Sequence, residues 1–167
     1  DWAYLKFYDE ATDASFSGSS YSSGSILEYC IIEYAETGLN IYQSAPFVHY
    51  AEIRYNSSKG IYVSSGNPLI NNCDIHHNNQ GIYISAGSSS IIDYNTIRDN
   101  SPEGGGRVNA TFSYNTIKNN TYSSNNNYDN AGGIRFNGGV FNHNIISGNS
   151  GGKAAFFMYS SSGEVTN

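Results

Sequence analysis

Asn72-Cys73-Asp74-Ile75-His76-His77-Asn78 is followed 22 residues later by Tyr94-Asn95-Thr96-Ile97-Arg98-Asp99-Asn100, and the two segments overlay position by position. The pattern continues in both directions. Tyr50-Ala51-Glu52-Ile53-Arg54-Tyr55-Asn56 and Tyr29-Cys30-Ile31-Ile32-Glu33-Tyr34-Ala35 precede it; Tyr114-Asn115-Thr116-Ile117-Lys118-Asn119-Asn120 and His143-Asn144-Ile145-Ile146-Ser147-Gly148-Asn149 follow. The repeated isoleucines are 32, 53, 75, 97, 117 and 146, with spacings of 21, 22, 22, 20 and 29. A self-similar period of this length is the signature of a solenoid, in which one repeat cannot bury its own apolar face and its neighbours complete the core.

Each period carries two further apolar runs. After most of the isoleucines comes a glycine with alternating apolar residues, as in Gly38-Leu39-Asn40-Ile41, Gly60-Ile61-Tyr62-Val63, Gly81-Ile82-Tyr83-Ile84 and Gly133-Ile134-Arg135-Phe136. Before most of them comes a pair such as Ile26-Leu27, Phe47-Val48, Leu69-Ile70, Ile91-Ile92 or Val140-Phe141. Three short stretches of period-two alternation, punctuated by Gly, Asn and Ser, predict three strands per turn. The glycine and asparagine content disfavours a helical repeat. The expectation is an all-β, right-handed parallel β-helix of about six rungs, spaced about 4.8 Å apart, with no substantial helix. Residues 1–167 read as a single domain or as a segment of a longer solenoid.

Two polar columns fit this stack. Cys30, Ala51, Cys73, Asn95, Asn115 and Asn144 share one position; Ala35, Asn56, Asn78, Asn100, Asn120 and Asn149 share another. Turn asparagines can bond their equivalents one rung away and tolerate left-handed backbone, so these columns read as structural ladders. Cys30 and Cys73 lie two rungs apart, roughly 9 to 10 Å, beyond disulfide reach. Both are expected reduced and buried, and no Cys/His spacing makes a zinc site.

The motif Asn-x-Ile-x-x-Asn followed by Gly-Ile-x-Ile, over roughly residues 25 to 160, resembles the right-handed parallel β-helix repeats of the pectin-lyase-like superfamily. The resemblance implies the fold. It does not choose a function, since that superfamily includes polysaccharide lyases, glycoside hydrolases, tailspikes, adhesins and surface repeats. The catalytic motifs of its hydrolases and lyases find no match here.

A net charge of −6 and the absence of a basic stripe with stacking aromatics point away from nucleic acid. No apolar run is long enough to suggest membrane insertion. Abundant Ser, Asn, Gly and Tyr with few charges suits an extracellular or cell-surface protein. Three segments read as loops: a Ser/Gly-rich excursion from Asp9 to Gly24, a Gly-rich turn from Ser101 to Arg107, and a polar insertion from Asn119 to Asn130. Gly163 to Asn167 reads as a terminal turn. No capping helix is apparent, so Tyr4-Leu5-Lys6-Phe7 and Ala154 to Tyr159 are expected to present open edges. These would suit end-to-end self-association or continuation by further rungs.

Stacking turns sequence columns into surface stripes. Beside the isoleucines run Glu52 and Asp74 in one column and Arg54, His76 and Arg98 in another. Two close carboxylates can divide the acid and nucleophile or base roles of glycoside hydrolysis; in a lyase the acids would hold Ca²⁺ while an arginine abstracts a proton. Opposite charges on adjacent strands are also a simple stabilising ladder, and that reading is preferred. Tyr62 and Tyr83 stand between inward aliphatics on successive rungs, where tyrosines could stack on sugar rings. Asn109 and Asn119 head acceptor sequons in or beside loops. The favoured expectation is a non-catalytic structural or binding module, with a carbohydrate-active enzyme as the alternative.

Overall fold

The computed structural model describes residues 2–85, 89–123, 131–159 and 163–166. Among them every regular element is a strand, wound into a parallel β-solenoid. The isoleucine strands Ile31–Glu33, Glu52–Arg54, Asp74–His76, Thr96–Arg98, Thr116–Lys118 and Ile145–Ser147 form one six-stranded sheet. Their register pairs Ile32, Ile53, Ile75, Ile97, Ile117 and Ile146 in one column. Ile53, Ile75, Ile97 and Ile117 are fully buried.

The other two strand types behave as expected in the upper rungs. Leading strands Ile26–Glu28, Phe47–His49, Leu69–Asn71 and Ile91–Asp93 stack in parallel, as do glycine strands Leu5–Phe7, Thr37–Ile41, Lys59–Val63 and Gln80–Ile84. In the lower rungs the two types fuse into single long strands, Gly106–Ser113 and Ala131–Asn142. The recurring glycine is a packing requirement. A Cβ at Gly60 would sit 2.6 Å from the Gly81 carbonyl oxygen and 2.9 Å from Asn78 Nδ2. No neighbour there is free to yield.

The asparagine columns form directional ladders. Asn56, Asn78 and Asn100 each direct the backbone N–H and Nδ2 to Oδ1 of the asparagine below. Asn78 and Asn100 also return Nδ2 to the carbonyls of Ile53 and Ile75. Asn95 and Asn115 repeat the scheme at the other corner. Every such amide is buried and satisfied, the condition under which a buried polar group is tolerated. The left-handed backbone expected at the asparagines falls instead on the residue before each one. Tyr55, His77, Tyr94, Asp99, Tyr114 and Asn119 all have φ between 53° and 56°, and Tyr29, Tyr34 and Tyr50, before Cys30, Ala35 and Ala51 in the same columns, have φ between 47° and 58°. Stacking of Tyr94 on Tyr114 at 4.9 Å and of Tyr114 on His143 at 4.7 Å helps offset that backbone cost.

Four expectations change. The Asp9–Gly24 excursion contains an antiparallel hairpin, Ser15–Ser17 with Ser20–Ser23, held down by Phe16 and Tyr21 on Phe47. Gly106 and Arg107 open a strand and do not belong to a turn; a Cβ at Gly106 would meet the Ile82 carbonyl, so only glycine lets the chain rejoin the sheet there. Gly163–Thr166 is a strand paired with Gly139–Asn142, and does not form a terminal turn. Cys30 is half-buried where Cys73 is buried, because Cys30 sits between the edge strands of two sheets, with no strand stacked above it among the described residues. Both thiols are free, and burial pushes Cys73 up to about 12. Of the Asn119–Asn130 insertion, Thr121–Tyr122 pairs with Ser150–Gly151; residues 124–130 lie outside the described set.

Candidate functional site

The isoleucine-strand face brings together all five of its sequence-predicted charged residues. Glu52 and Asp74 are register partners, as are Arg54 with His76 and His76 with Arg98. Arg54 Nε donates to Glu33 Oε2 at 2.8 Å, and its Nη1 to Glu52 Oε1 at 2.7 Å. Arg98 grips both oxygens of Asp74, at 3.0 and 2.8 Å, and reaches Asp99 at 2.9 Å. His76 is buried; its Nε2 lies 3.0 Å from Glu52 Oε1 and its Nδ1 2.7 Å from His77 Nδ1. Glu33 and Glu52 therefore share Arg54, and Asp74 and Asp99 share Arg98.

This arrangement is chemically an ion-paired ladder. The hydrogen bond from His76, with smaller help from Arg54, holds the Glu52 carboxyl below its ordinary range. A general acid for glycosidic cleavage needs the opposite shift. The Ca²⁺ that a lyase would use does not fit these residues either. Glu52 and Asp74 are already committed to Arg54, His76 and Arg98, and among the described residues no group of three His, Cys, Asp or Glu side chains is arranged to hold a metal ion.

The glycine-strand face differs in composition. Its register places Lys6, Asn40, Tyr62, Tyr83, Arg107, Arg135 and Phe157 in one column, with Arg135 buried. Tyr62 and Tyr83 meet edge to face at 5.4 Å. Lys59 Nζ lies 5.8 Å from both rings, and Arg107 stands 5.5 Å from the Tyr83 ring while donating to its hydroxyl at 3.2 Å. Lys6 sits 4.5 Å over Tyr8, and Arg135 4.2 Å over Tyr159. Of the eight Lys and Arg residues in the sequence, four lie in these strands, which contain no Asp or Glu. A cavity of about 330 Å³ opens on this side, lined by Tyr83, Ile84, Ser85, Arg107, Asn109, Asn137 and Tyr159.

A family model for the right handed beta helix region matches residues 15–167. The chain belongs to the right-handed β-helix family. No curated protein and no solved structure matches it. The family assignment accounts for the stacked rungs and leaves the faces of this β-helix to be read from their own residues.

The sequence brought Tyr62, Tyr83 and Arg135 to one stripe of the β-helix but missed Arg107, Lys59 and Lys6. Arg107 was hidden by the glycines before it, which read as a turn. Aligning Val108 with Val63 and Ile84 would have recovered it. Asn109 lies in mid-strand beside the cavity and not in a loop, because the glycine and leading strands of that rung are continuous. Asn119 is an exposed corner residue with φ of 55°.

Proposed function

We propose that this β-helix is a non-catalytic binding module that holds an anionic polysaccharide along its glycine-strand face. The observation that carries the reading is charge segregation. A chain of net charge −6 gathers Lys6 beside Tyr8, and Lys59 and Arg107 beside Tyr62 and Tyr83, with the buried Arg135 under Tyr159, on strands without a carboxylate. Carboxylate or sulfate groups along a glycan would meet the cations, and sugar rings would pack on the tyrosines. The carboxylates are concentrated elsewhere, and Glu52 and Asp74 are taken up by Arg54 and Arg98, which supports binding over cleavage.

Composition supports an extracellular or cell-surface setting for such a module. The last described rung leaves a cavity of about 330 Å³ among Phe141, Ile146, Phe156 and Val165. An apolar opening of this kind suits coverage by a further rung, from the same protein or from a second copy.

Affinity electrophoresis tests the binding reading. The chain is run through gels containing polygalacturonate or dextran. Retardation by polygalacturonate alone, weakened by added salt and by Arg107→Ala and Tyr83→Ala, is expected. Equal mobility in both gels, or retardation untouched by Arg107→Ala, overturns it.

A further inference from the structure

A second groove lies over the leading strands. It is the largest of the described cavities, about 580 Å³. Its floor is Leu69 and Ile91, register partners on adjacent rungs, with Ile91 43% exposed. Asn71 and Asp93, also register partners, line it two residues along. The hairpin supplies the opposite wall through Phe16, which is 38% exposed, and Asn67 contributes a further polar group.

The wall is fixed before any ligand arrives. Phe16 packs on Phe47 at 5.3 Å and Tyr21 stacks on it at 6.1 Å. The Tyr21 hydroxyl donates to the Gly24 carbonyl at 2.6 Å, and the Ala45 N–H donates to Asp13 Oδ1 at 2.7 Å. A pre-formed groove loses little entropy on binding.

The polar groups of this groove are left incomplete. Asn71 Oδ1 and Asp93 Oδ1 are buried and have no hydrogen-bond donor. A buried acceptor without a donor carries a desolvation cost that a ligand hydroxyl can relieve. Both residues line the cavity, and the χ2 torsion of Asn and Asp is broad, so reorientation about χ2 is the motion by which either oxygen would be presented to a ligand. Burial also pushes the Asp93 carboxyl above its ordinary range. None of the lining residues is Lys or Arg, and the carboxylate repels anions.

We propose that this groove binds a neutral pyranose unit, with its C–H face on Ile91, Leu69 and Phe16 and neighbouring hydroxyls donated to Asn71 and Asp93. Aliphatic and aromatic surface beside two adjacent planar acceptors is complementary to a sugar ring, which is apolar on its face and rich in donors at its edge. The site is independent of the glycine-strand face, and neither reading depends on the other.

Amide spectra of the ¹⁵N-labelled chain, titrated separately with maltohexaose, cellohexaose, mannohexaose and glucosamine, test it. At least one hexasaccharide is expected to shift the amides of Phe16, Leu69, Asn71, Ile91 and Asp93. Asp93→Ala should weaken that binding roughly tenfold, the loss expected for a hydrogen bond to a charged group. Ile91→Arg, which fills the exposed floor, should abolish it, and Arg107→Ala should leave it unchanged. The dispersion of each spectrum reports whether the variant is folded. No shift at these amides with any of the three oligosaccharides, shifts with glucosamine alone, or undiminished affinity in folded Asp93→Ala and Ile91→Arg would overturn the proposal.

Discussion

The isoleucine-strand face and the glycine-strand face stand on the same ladder of rungs, yet they treat charge in opposite ways. On the first, Arg54 and Arg98 each bridge to carboxylates, and a buried histidine completes the set. On the second, Lys6, Lys59 and Arg107 lie against tyrosine rings. A repeat fixes the spacing of columns, about one strand separation per rung. It does not fix what fills them. A column of mixed sign closes on itself, whereas a column of one sign interleaved with aromatics retains affinity for an outside partner.

The largest expected effect strikes the register that both faces share. Ile75→Ala removes a fully buried side chain from the centre of the column and should cost about 2–5 kcal/mol, from lost burial plus a cavity. Chemical denaturation checks it. A cost under about 1 kcal/mol would mean that the faces are aligned by something other than the isoleucine column.

Asn78→Ala comes next. It removes an amide that bonds Ile53, His76, Asn56 and Asn100 across three rungs. The abandoned buried groups should cost about 1–3 kcal/mol, again read from denaturation midpoints. Asn78→Asp, which keeps the acceptor and loses the donor, should also destabilise.

Substitution on the two faces then separates them. Arg107→Ala should change stability by less than about 0.5 kcal/mol while weakening retardation by polygalacturonate. Arg98→Ala should do the reverse, leaving Asp74 and Asp99 without their cation but keeping the retardation. Paired melting curves and gels compare the two. If both variants lose retardation equally, the distinction between the faces fails.

The smallest effect is a pH dependence confined to the isoleucine-strand face. Glu52 is depressed in the folded chain from an ordinary 4.5. Its contribution is fully present above that value and is lost as pH falls below it, through the lower folded value. Glu52→Gln should flatten that part of the acid limb of stability against pH. Arg107→Ala should leave it unaltered.

What could be read beforehand divides along physical lines. Ile53, Ile75 and Ile97 announced the register because one inward residue per strand suffices to fix a period-two pattern. Glu52, Asp74, Arg54, His76 and Arg98 were legible as neighbours for the same reason. Arg107 was not, since three glycines before it mimic a turn when the chain is in fact rejoining a sheet. Nor was the hairpin at Phe16 and Tyr21, whose serines and glycine look like a loop until Phe47 gives them something to cover. The groove above Ile91 follows from that hairpin and was equally hidden. The left-handed backbone expected at the ladder asparagines lies one residue earlier, at Tyr55, Tyr94 and Tyr114 among others.

The asparagine ladder also bears on how such a chain can change length. Each amide takes its instructions from the rung on either side and from nothing farther away, and each hands its bonds on in the same direction. The ladder works like a counting frame: a whole bead can be slid in or out and the remaining beads still interlock. Gain or loss of one complete repeat would therefore leave the interior chemistry solved. A gain or loss of half a repeat would set every amide below it opposite the wrong neighbour.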